Sequence, residues 1–322
     1  MIETRKHLLI AADVDRVALD LFGADERFAV TNRRSHDEES LSAAVSGHEV
    51  LVTRYHNQVT RRVIESADRL QLIVQGTSGL DNIDHAAAAE RGIEVAGIPG
   101  KNANAVAEMV IGMMINLTRT LPLYDRMVRQ GSWDRGSCAE RRELRGHRLG
   151  IVGLGRVGTA VARLSAAFGM APIAFDPYIN EATFFERGAT RAASLPLLFE
   201  ASDIVTFHVP LTPETDRMLN EESMRWLPEG TMVINTSRGR IVDLDAVIEA
   251  LKDGRLSGVA VDVYDQEPPS RIPPEHPRLI TTPHIAGCSR ESKRSIGIEI
   301  YRRVCEHFGF APNEGLLTDH ER

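Results

Sequence analysis

Along most of the chain, short apolar runs alternate with stretches in which apolar residues recur about every three or four positions. In the N-terminal third, the runs predicted as strands are 7–11, 28–31, 49–53, 72–75 and 94–96. The helices predicted between them are 15–22, 37–46, 61–66 and 85–91. Alternating strands and helices predict a parallel sheet covered on both faces. This segment contains no G-x-G-x-x-G pattern, so we expect it to carry substrate rather than nucleotide.

A long apolar helix, predicted over 102–119, separates this series from a second one. Because it is apolar around its circumference, we expect a linker helix buried between domains or between subunits. Residues 124–145 are highly charged around Trp133 and are predicted to form an exposed arm. The strands of the second series are predicted at 149–152, 173–175, 203–209, 232–236, 259–264 and 279–282. A chain of 322 residues with two such series predicts two α/β domains.

The second series opens with a strand, the glycines Gly153, Gly155 and Gly158, a helix, and a strand that ends on Asp176. In this pattern Gly153 permits the tight turn, Gly155 lets a pyrophosphate approach the backbone, and Gly158 allows close helix packing. Asp176 can accept hydrogen bonds from a ribose diol and would repel a 2′-phosphate, which favours NAD over NADP. A tight turn without a ligand would leave Asp176 unexplained.

Composition and charge exclude several classes of protein. No apolar run reaches the ~18–20 residues of a membrane span, and the N-terminus lacks a signal-peptide pattern. A net charge of −7 without a long basic run argues against nucleic acid as the main partner. Cys138, Cys288 and Cys305 are few and far apart, which indicates reduced thiols in the cytoplasm. None has a partner at metal-ligand spacing, so no metal site is expected.

Polar residues follow several strands of the second series, at the edge where open α/β sheets bind ligands. Hydride transfer to a carbonyl needs a proton donor, for which histidine is suited, and His284 follows L-I-T-T-P. Glu267 would orient this imidazole, and Arg238 would supply a guanidinium fork for a substrate carboxylate. The alternative is three ordinary surface residues: Arg238 paired with Asp243, a solvated Glu267, and a histidine cap.

These residues lie in stretches that resemble the D-isomer-specific 2-hydroxyacid dehydrogenase family along nearly the whole chain. The matching stretches are S-G-L-D-N-I-D (78–84), N-A-N-A-V-A-E (102–108), G-I-V-G-L-G-R-V-G (150–158), H-V-P-L-T-P-E-T (208–215), N-T-S-R-G-R-I-V-D (235–243), V-A-V-D-V-Y-D-Q-E-P-P (259–269) and T-P-H-I-A-G (282–287). The resemblance implies that His284 exchanges the proton, Glu267 is its partner, and Arg238 anchors the substrate. It also implies NAD contacts from Ser78, Arg156, Val157, Asp176, Val209, Thr236 and Asp262.

The resemblance further implies two doubly wound parallel-sheet domains. Residues 1–99 and 288–322 would form a flavodoxin-like substrate domain, and 100–287 a Rossmann NAD-binding domain. Family members are usually dimers joined through the region that corresponds to residues 102–145, so a homodimer is expected.

Among the branches of the family, the motifs are most similar to phosphoglycerate dehydrogenases, although the chain stops before the C-terminal regulatory domains that many of those enzymes carry. Arg54 stands where that branch has a substrate-facing arginine, although a solvent-facing residue at a strand end is the alternative. Backbone N–H groups of Thr77, Ser78 and Gly79 would also hold the substrate. The other hypotheses are a glyoxylate or hydroxypyruvate reductase, and an NAD-sensing regulatory or corepressor-like protein.

Overall fold

The computed structural model describes residues 5–35, 37–135 and 141–321, with side chains through Leu317. It divides into two compact units: the first combines Met1–Asn102 with Cys288–Arg322, and the second is Ala103–Gly287. Cys138, one of the cysteines expected to be reduced, lies outside the described residues. The described cysteines, Cys288 and Cys305, are free thiols.

The strands and helices follow one another in regular alternation. The strands are β1 Lys6–Ile10, β2 Phe28–Asn32, β3 Val50–Thr53, β4 Leu72–Gln75, β5 Glu94–Gly97, β6 Arg148–Val152, β7 Ala171–Phe175, β8 Thr190–Arg191, β9 Ile204–Phe207, β10 Thr231–Asn235, β11 Leu256–Val261 and β12 Leu279–Thr281. The helices are α1 Arg16–Ala24, α2 Glu38–Val45, α3 Arg61–Ser66, α4 His85–Glu90, α5 Ala103–Arg119, α6 Leu121–Arg129, α7 Arg156–Ala167, α8 Glu181–Glu186, α9 Leu195–Glu200, α10 Leu244–Lys252, α11 Arg290–His307 and α12 Glu314–Glu321.

The first unit contains a five-stranded sheet with the order β2-β1-β3-β4-β5. All of its strand pairs are parallel, and β1 lies between β2 and β3. This order is that of flavodoxin-like folds. The predicted flavodoxin-like α/β fold is therefore confirmed for this unit.

Helices cover both faces of this sheet, because successive side chains of a strand point to opposite faces. Leu8 and Ile10 of β1 belong to a hydrophobic cluster shared with α1 and α11. Leu9 belongs to a second cluster, shared with α2, α3 and α4. The long helix α11, from the end of the chain, thus packs against a sheet built from the N-terminal strands.

A buried polar cluster holds α11 in place. The Tyr301 hydroxyl donates a hydrogen bond of 2.8 Å to Asp25, which also accepts one of 2.6 Å from Arg27. Burial opposes ionisation of Asp25, but the hydrogen bonds from Arg27 and Tyr301 outweigh it and hold the pKa of this carboxyl below its usual value. Burial raises the pKa of Cys305 to about 11, so this thiol stays protonated and contributes packing.

The second unit contains a seven-stranded parallel sheet with the order β12-β11-β10-β9-β6-β7-β8. The chain starts at β6, adds β7 and β8 on one side, and then continues from β9 on the other side. β6 therefore pairs with both β7 and β9, and the strand order reverses there. This is the Rossmann order extended by one strand, in which dinucleotides bind at the carboxyl ends beside the reversal. The Rossmann prediction is confirmed.

The long helix α5 belongs to the core of the second unit. Val106, Val110 and Met114 are buried in a cluster that also contains residues of α7 and of the sheet. At Gly258 of β11 an added Cβ would lie 3.1 Å from a methyl group of Leu117, so helix and strand approach closely. The apolar circumference that suggested a linker helix is explained by this packing inside one unit.

The segment predicted as an exposed arm begins within the helix α6. No side chain of α6 is buried, and Trp133 beyond its end is 80% exposed. The nine-residue helix α6 was not predicted from the sequence. Neither were β8, α8 and α9, which have six residues or fewer and are too short to show a period. Over the described ranges, no helix combines the length and apolarity that crossing a bilayer requires.

Candidate active site

The glycine loop between β6 and α7 has the close contacts expected of a dinucleotide site. Gly153 has a φ of 86°, and a Cβ there would lie 2.8 Å from the carbonyl oxygen of His208. A Cβ on Gly158 would lie 2.1 Å from the carbonyl oxygen of Gly153. Gly155, the N-cap of α7, has no atom within 4 Å of its Cβ position. The loop is therefore closed on the protein side and open where a pyrophosphate would approach.

Asp176 follows β7 and faces this loop. One carboxylate oxygen accepts a hydrogen bond of 3.0 Å from the N–H of Leu154, and the other accepts one of 3.1 Å from Tyr178. A carboxylate has about four lone-pair sites, so acceptors remain for ribose hydroxyls. Arg156 is exposed in the first turn of α7, where Val157 is half-buried.

Val209 and Thr236 complete the fit to a dinucleotide. The Val209 side chain would lie 2.6 Å from a Cβ on Gly153, so it forms one wall of the glycine loop. Thr236 follows β10 and is 8% exposed, yet its hydroxyl is buried without a hydrogen-bond partner among the described residues. Because a buried hydroxyl needs a partner, Thr236 fits a site completed by a polar cofactor group.

Asp262, directly after β11, holds the turn that carries His284. Its carboxylate is fully buried and accepts hydrogen bonds from the Thr282 hydroxyl (2.5 Å) and the N–H groups of Ile285 (2.9 Å) and Ala286 (2.8 Å). Its main-chain oxygen accepts the N–H of His284, whose φ is 54°. The family resemblance implied a cofactor contact for Asp262, whereas its role in this turn was not predicted; the only signal for it in the sequence was an acid within an apolar strand.

His284 and Glu267 form a hydrogen-bonded pair, with 2.7 Å between Nδ1 and Oε2. Glu267 Oε1 also accepts the N–H of Tyr264, at 3.2 Å. Partial burial opposes ionisation of Glu267, but the hydrogen bond and charge of His284 outweigh it and lower the pKa of this carboxyl. An ionised Glu267 keeps the proton on Nδ1, so Nε2 is the nitrogen that can exchange a proton with a substrate.

Arg238 lies on a turn that packs against the chain leading to Glu267. Asn235 fixes this turn by accepting hydrogen bonds from the Ser237 N–H and hydroxyl and by donating one to the carbonyl of Arg238. A Cβ on Gly239 would lie 2.0 Å from the carbonyl carbon of Tyr264, so only glycine allows this contact. The charge of Arg238 also contributes to the lowered pKa of Glu267. Arg238, Glu267 and His284 therefore lie together, supported by residues that sequence analysis overlooked.

The predicted substrate residues of the first unit follow the neighbouring strands β3 and β4. Arg54 donates from Nη1 to the carbonyl of Asp13 at 3.4 Å, while its Nε is buried without a hydrogen-bond partner in the described part of the chain. The Thr77 hydroxyl donates to the carbonyl of Gly79, and Ser78 is exposed. Within this unit, these residues share the carboxyl-end edge of the sheet.

Comparison with known proteins agrees with this arrangement. Residues 111–286 match the family model described as D-isomer specific 2-hydroxyacid dehydrogenase, NAD binding domain, which confirms the predicted cofactor. The chain is 36% identical over 298 residues to a D-3-phosphoglycerate dehydrogenase of Archaeoglobus fulgidus, with 91% of this chain and 55% of that protein covered. It is 33% identical over 300 residues to a hydroxypyruvate reductase of Thermotoga maritima, with 92% and 96% covered.

The chain spans about half the length of the curated phosphoglycerate dehydrogenases that it matches. Among solved structures, a D-lactate dehydrogenase of Aquifex aeolicus, complexed with NAD and lactic acid, superposes with a TM-score of 0.83. That structure is 26% identical in sequence, and the match covers 97% of this chain and 97% of the other.

Replacing the carboxylate that holds the His284 turn tests its role. In Asp262→Asn the amide NH2 group cannot accept a hydrogen bond, so at least one buried donor loses its acceptor, at a cost of about 1–3 kcal/mol. We expect a lower midpoint of urea unfolding, followed by circular dichroism. Asp245→Asn on α10 is the matched control, because that side chain is 80% exposed. Equal midpoints for Asp262→Asn and the wild type would contradict the role.

Proposed function

Because the chain belongs to the D-isomer specific 2-hydroxyacid dehydrogenase family, we propose that it is an NAD-dependent oxidoreductase acting on the CH–OH group of a 2-hydroxy acid. The observation that carries the proposal is the 2.7 Å hydrogen bond between His284 and Glu267 at a strand end of the NAD-binding unit. Reduction of a 2-keto acid adds one hydride to C2 and one proton to its oxygen, and oxidation removes both.

Bound NADH supplies the hydride. Protonated His284 donates its Nε2 proton to the carbonyl oxygen of the substrate, and in the oxidative direction the neutral imidazole accepts the hydroxyl proton. Glu267, ionised because of its lowered pKa, holds the Nδ1 proton and stabilises the protonated ring. Arg238 binds the substrate carboxylate with its guanidinium fork.

The geometry of the second unit supports the proposed cofactor contacts. Gly153, Gly155 and Gly158 receive the pyrophosphate at the start of α7, with Arg156 and Val157 in its first turn. In the same unit Asp176 binds the ribose diol, Val209 flanks the loop, and Thr236 gives its unpaired hydroxyl to the cofactor. The family resemblance also assigns contacts to Ser78 and Asp262; for Asp262 they would come in addition to its hydrogen bonds within the His284 turn.

For the substrate we propose 3-phosphoglycerate and its keto acid, with a glyoxylate or hydroxypyruvate reductase as the alternative. The Nε of Arg54 is buried and has no hydrogen-bond partner among the described residues, which supports a role for Arg54 in binding an anionic group. Backbone N–H groups of Thr77, Ser78 and Gly79 are the further candidates for holding the substrate. Relatives named phosphoglycerate dehydrogenase and hydroxypyruvate reductase both match the chain, so the distinction depends on Arg54.

We further propose a cytoplasmic homodimer joined through the region of α5, α6 and the arm, residues 102–145. The helix α6 buries none of its side chains, and Leu121 and Val128 are exposed on it although both are large and apolar. Exposed apolar surface of this kind marks an interaction site, and a second copy of the chain is its proposed occupant. The free thiols Cys288 and Cys305 support a reducing compartment.

The catalytic proposal predicts that His284→Ala lowers turnover of 2-keto acids by about 100-fold or more, because the proton donor is lost. The Kd for NADH, measured by fluorescence titration, should stay within about twofold of the wild-type value, because His284 acts on the substrate. His48→Ala, at a half-buried histidine of the first unit, is the control. Near-normal turnover in His284→Ala would refute the assignment. A wild type that binds NADH but reduces no 2-keto acid would favour the NAD-sensing function instead.

The substrate proposal predicts that 3-phosphohydroxypyruvate is preferred over glyoxylate, hydroxypyruvate and pyruvate in NADH oxidation. Arg54→Ala should abolish most of this preference by raising the KM for the phosphorylated acid, because a charge-assisted contact is lost. Arg16→Ala, at an exposed arginine of α1, is the control and should change nothing. If glyoxylate or hydroxypyruvate is preferred and Arg54→Ala has little effect, the protein is a general 2-keto acid reductase.

The dimer proposal predicts that Val128→Glu weakens self-association, because the substitution would bury a charge against apolar surface. Sedimentation velocity should show a dimer for the wild type and a shift toward monomer for the variant. Leu197→Glu on α9 is a matched control, since Leu197 is 52% exposed and Val128 is 55% exposed. A monomeric wild type, or an equal shift in both variants, would contradict the proposed interface.

A further inference from the structure

Two adjoining cavities in the second unit lie away from the candidate active site. Their volumes are about 410 Å³ and 300 Å³, and both are lined by Thr118 and Arg142. Arginines predominate among the charged residues around them, and we call this region the basic pocket; its arginines are Arg119, Arg141, Arg142, Arg145 and Arg278.

The basic pocket opens at the amino ends of the strands. Gly230 directly precedes β10, Ser257 lies at the start of β11, and Arg278 directly precedes β12. Thr236 and Asp262 lie at the other ends of these strands. A strand of this length spans about 15 Å at roughly 3.3 Å per residue. The basic pocket is therefore on the opposite edge of the sheet from the proposed dinucleotide site. It contains none of the proposed cofactor-binding or catalytic residues.

The described residues of the basic pocket carry an excess of positive charge. They include five guanidinium groups and two carboxylates, those of Glu143 and Glu229, in a chain whose net charge is −7. The side chains of Arg119, Arg142 and Arg145 make no hydrogen bond or ion pair with any residue that the structure describes. Elsewhere in the same unit, Arg148 and Arg191 are paired with carboxylates. Arginines gathered around a cavity without such partners are suited to binding an external anion.

One of these arginines is held in position without losing its charge. Arg141 donates from Nε and Nη2 to the Tyr124 hydroxyl, at 3.0 Å and 2.8 Å, and its guanidinium lies 5.0 Å from the centre of the tyrosine ring. A neutral hydroxyl fixes the plane of the guanidinium without itself compensating the charge. Arg141 is thereby oriented before any ligand arrives, which lowers the entropic cost of binding.

We propose that the basic pocket is a binding site for a small polyanion, either an organic phosphate or a polycarboxylate. Its volume is at the lower end of the range of about 300–1,000 Å³ found for ligand pockets, which suits a compact ligand. Its arginines offer bidentate donors to phosphate and carboxylate groups alike. The site is separate from the proposed active site, so it does not depend on the proposed reaction. Four of its arginines, Arg119, Arg141, Arg142 and Arg145, lie in the region 102–145 proposed for the dimer.

Isothermal titration calorimetry of the full chain with inorganic pyrophosphate and, separately, with citrate tests the proposal. The protein is saturated with NADH, so that the glycine loop is occupied. We expect binding of one probe molecule per chain, and a Kd at least about tenfold weaker in Arg142→Gln, because each lost charge-assisted hydrogen bond is worth a factor of this size. Binding of pyrophosphate alone identifies a phosphate ligand, and binding of citrate alone identifies a carboxylate.

Arg191→Gln is the matched control, since it removes one positive charge at β8, across the same sheet. Equal weakening in both variants would mean that net charge, rather than the basic pocket, attracts the probes. Binding that Arg142→Gln leaves unchanged, or no binding at millimolar concentration, would also overturn the proposal. If no probe binds and Arg142→Gln dissociates a dimer in sedimentation velocity, the basic pocket is filled by a second copy of the chain.

Discussion

The candidate active site depends on the burial of one carboxylate. Asp262 is removed from water, and its carboxyl group accepts three hydrogen bonds from the segment 282–286. Such a group tolerates little change in its surroundings, since each lost hydrogen bond would leave a buried polar group without a partner. The main-chain oxygen of Asp262 also accepts the N–H of His284, which has a left-handed conformation and directs Nδ1 toward Glu267.

The sequence was most informative where function and periodicity coincide. Strands buried on both faces appear as continuous apolar runs, so the two parallel sheets could be predicted. The glycine pattern at 153–158 predicted the tight turn and the close helix packing after β6, which agree with the positive φ of Gly153 and the close contact at Gly158. The grouping of Arg238, Glu267 and His284 could be predicted because parallel strands bring residues that are distant in sequence to a common edge of the sheet.

The supporting contacts could not be predicted in the same way. The role of Gly239 depends on the path of Tyr264, which lies far along the chain, and no local pattern encodes this contact. Asn235 makes its hydrogen bonds only once the turn after β10 exists. The apolar surface of α5 was attributed to a boundary between domains or between subunits, because a one-dimensional pattern cannot distinguish a domain's own sheet from a neighbouring surface. The sequence alone also does not show that Arg142 lines a cavity, because the other lining residues come from distant parts of the chain.

The placement of α11 has a consequence for how the chain reaches its folded state. The second unit is one uninterrupted stretch, whereas the first needs a helix that follows the entire second unit in sequence. During synthesis the N-terminal strands can pair early, but one face of their sheet, including Leu8 and Ile10, stays uncovered until Tyr301 and its neighbours emerge. The usual N-to-C order of domain completion is therefore inverted, and the N-terminal unit is the one most exposed to aggregation on the ribosome.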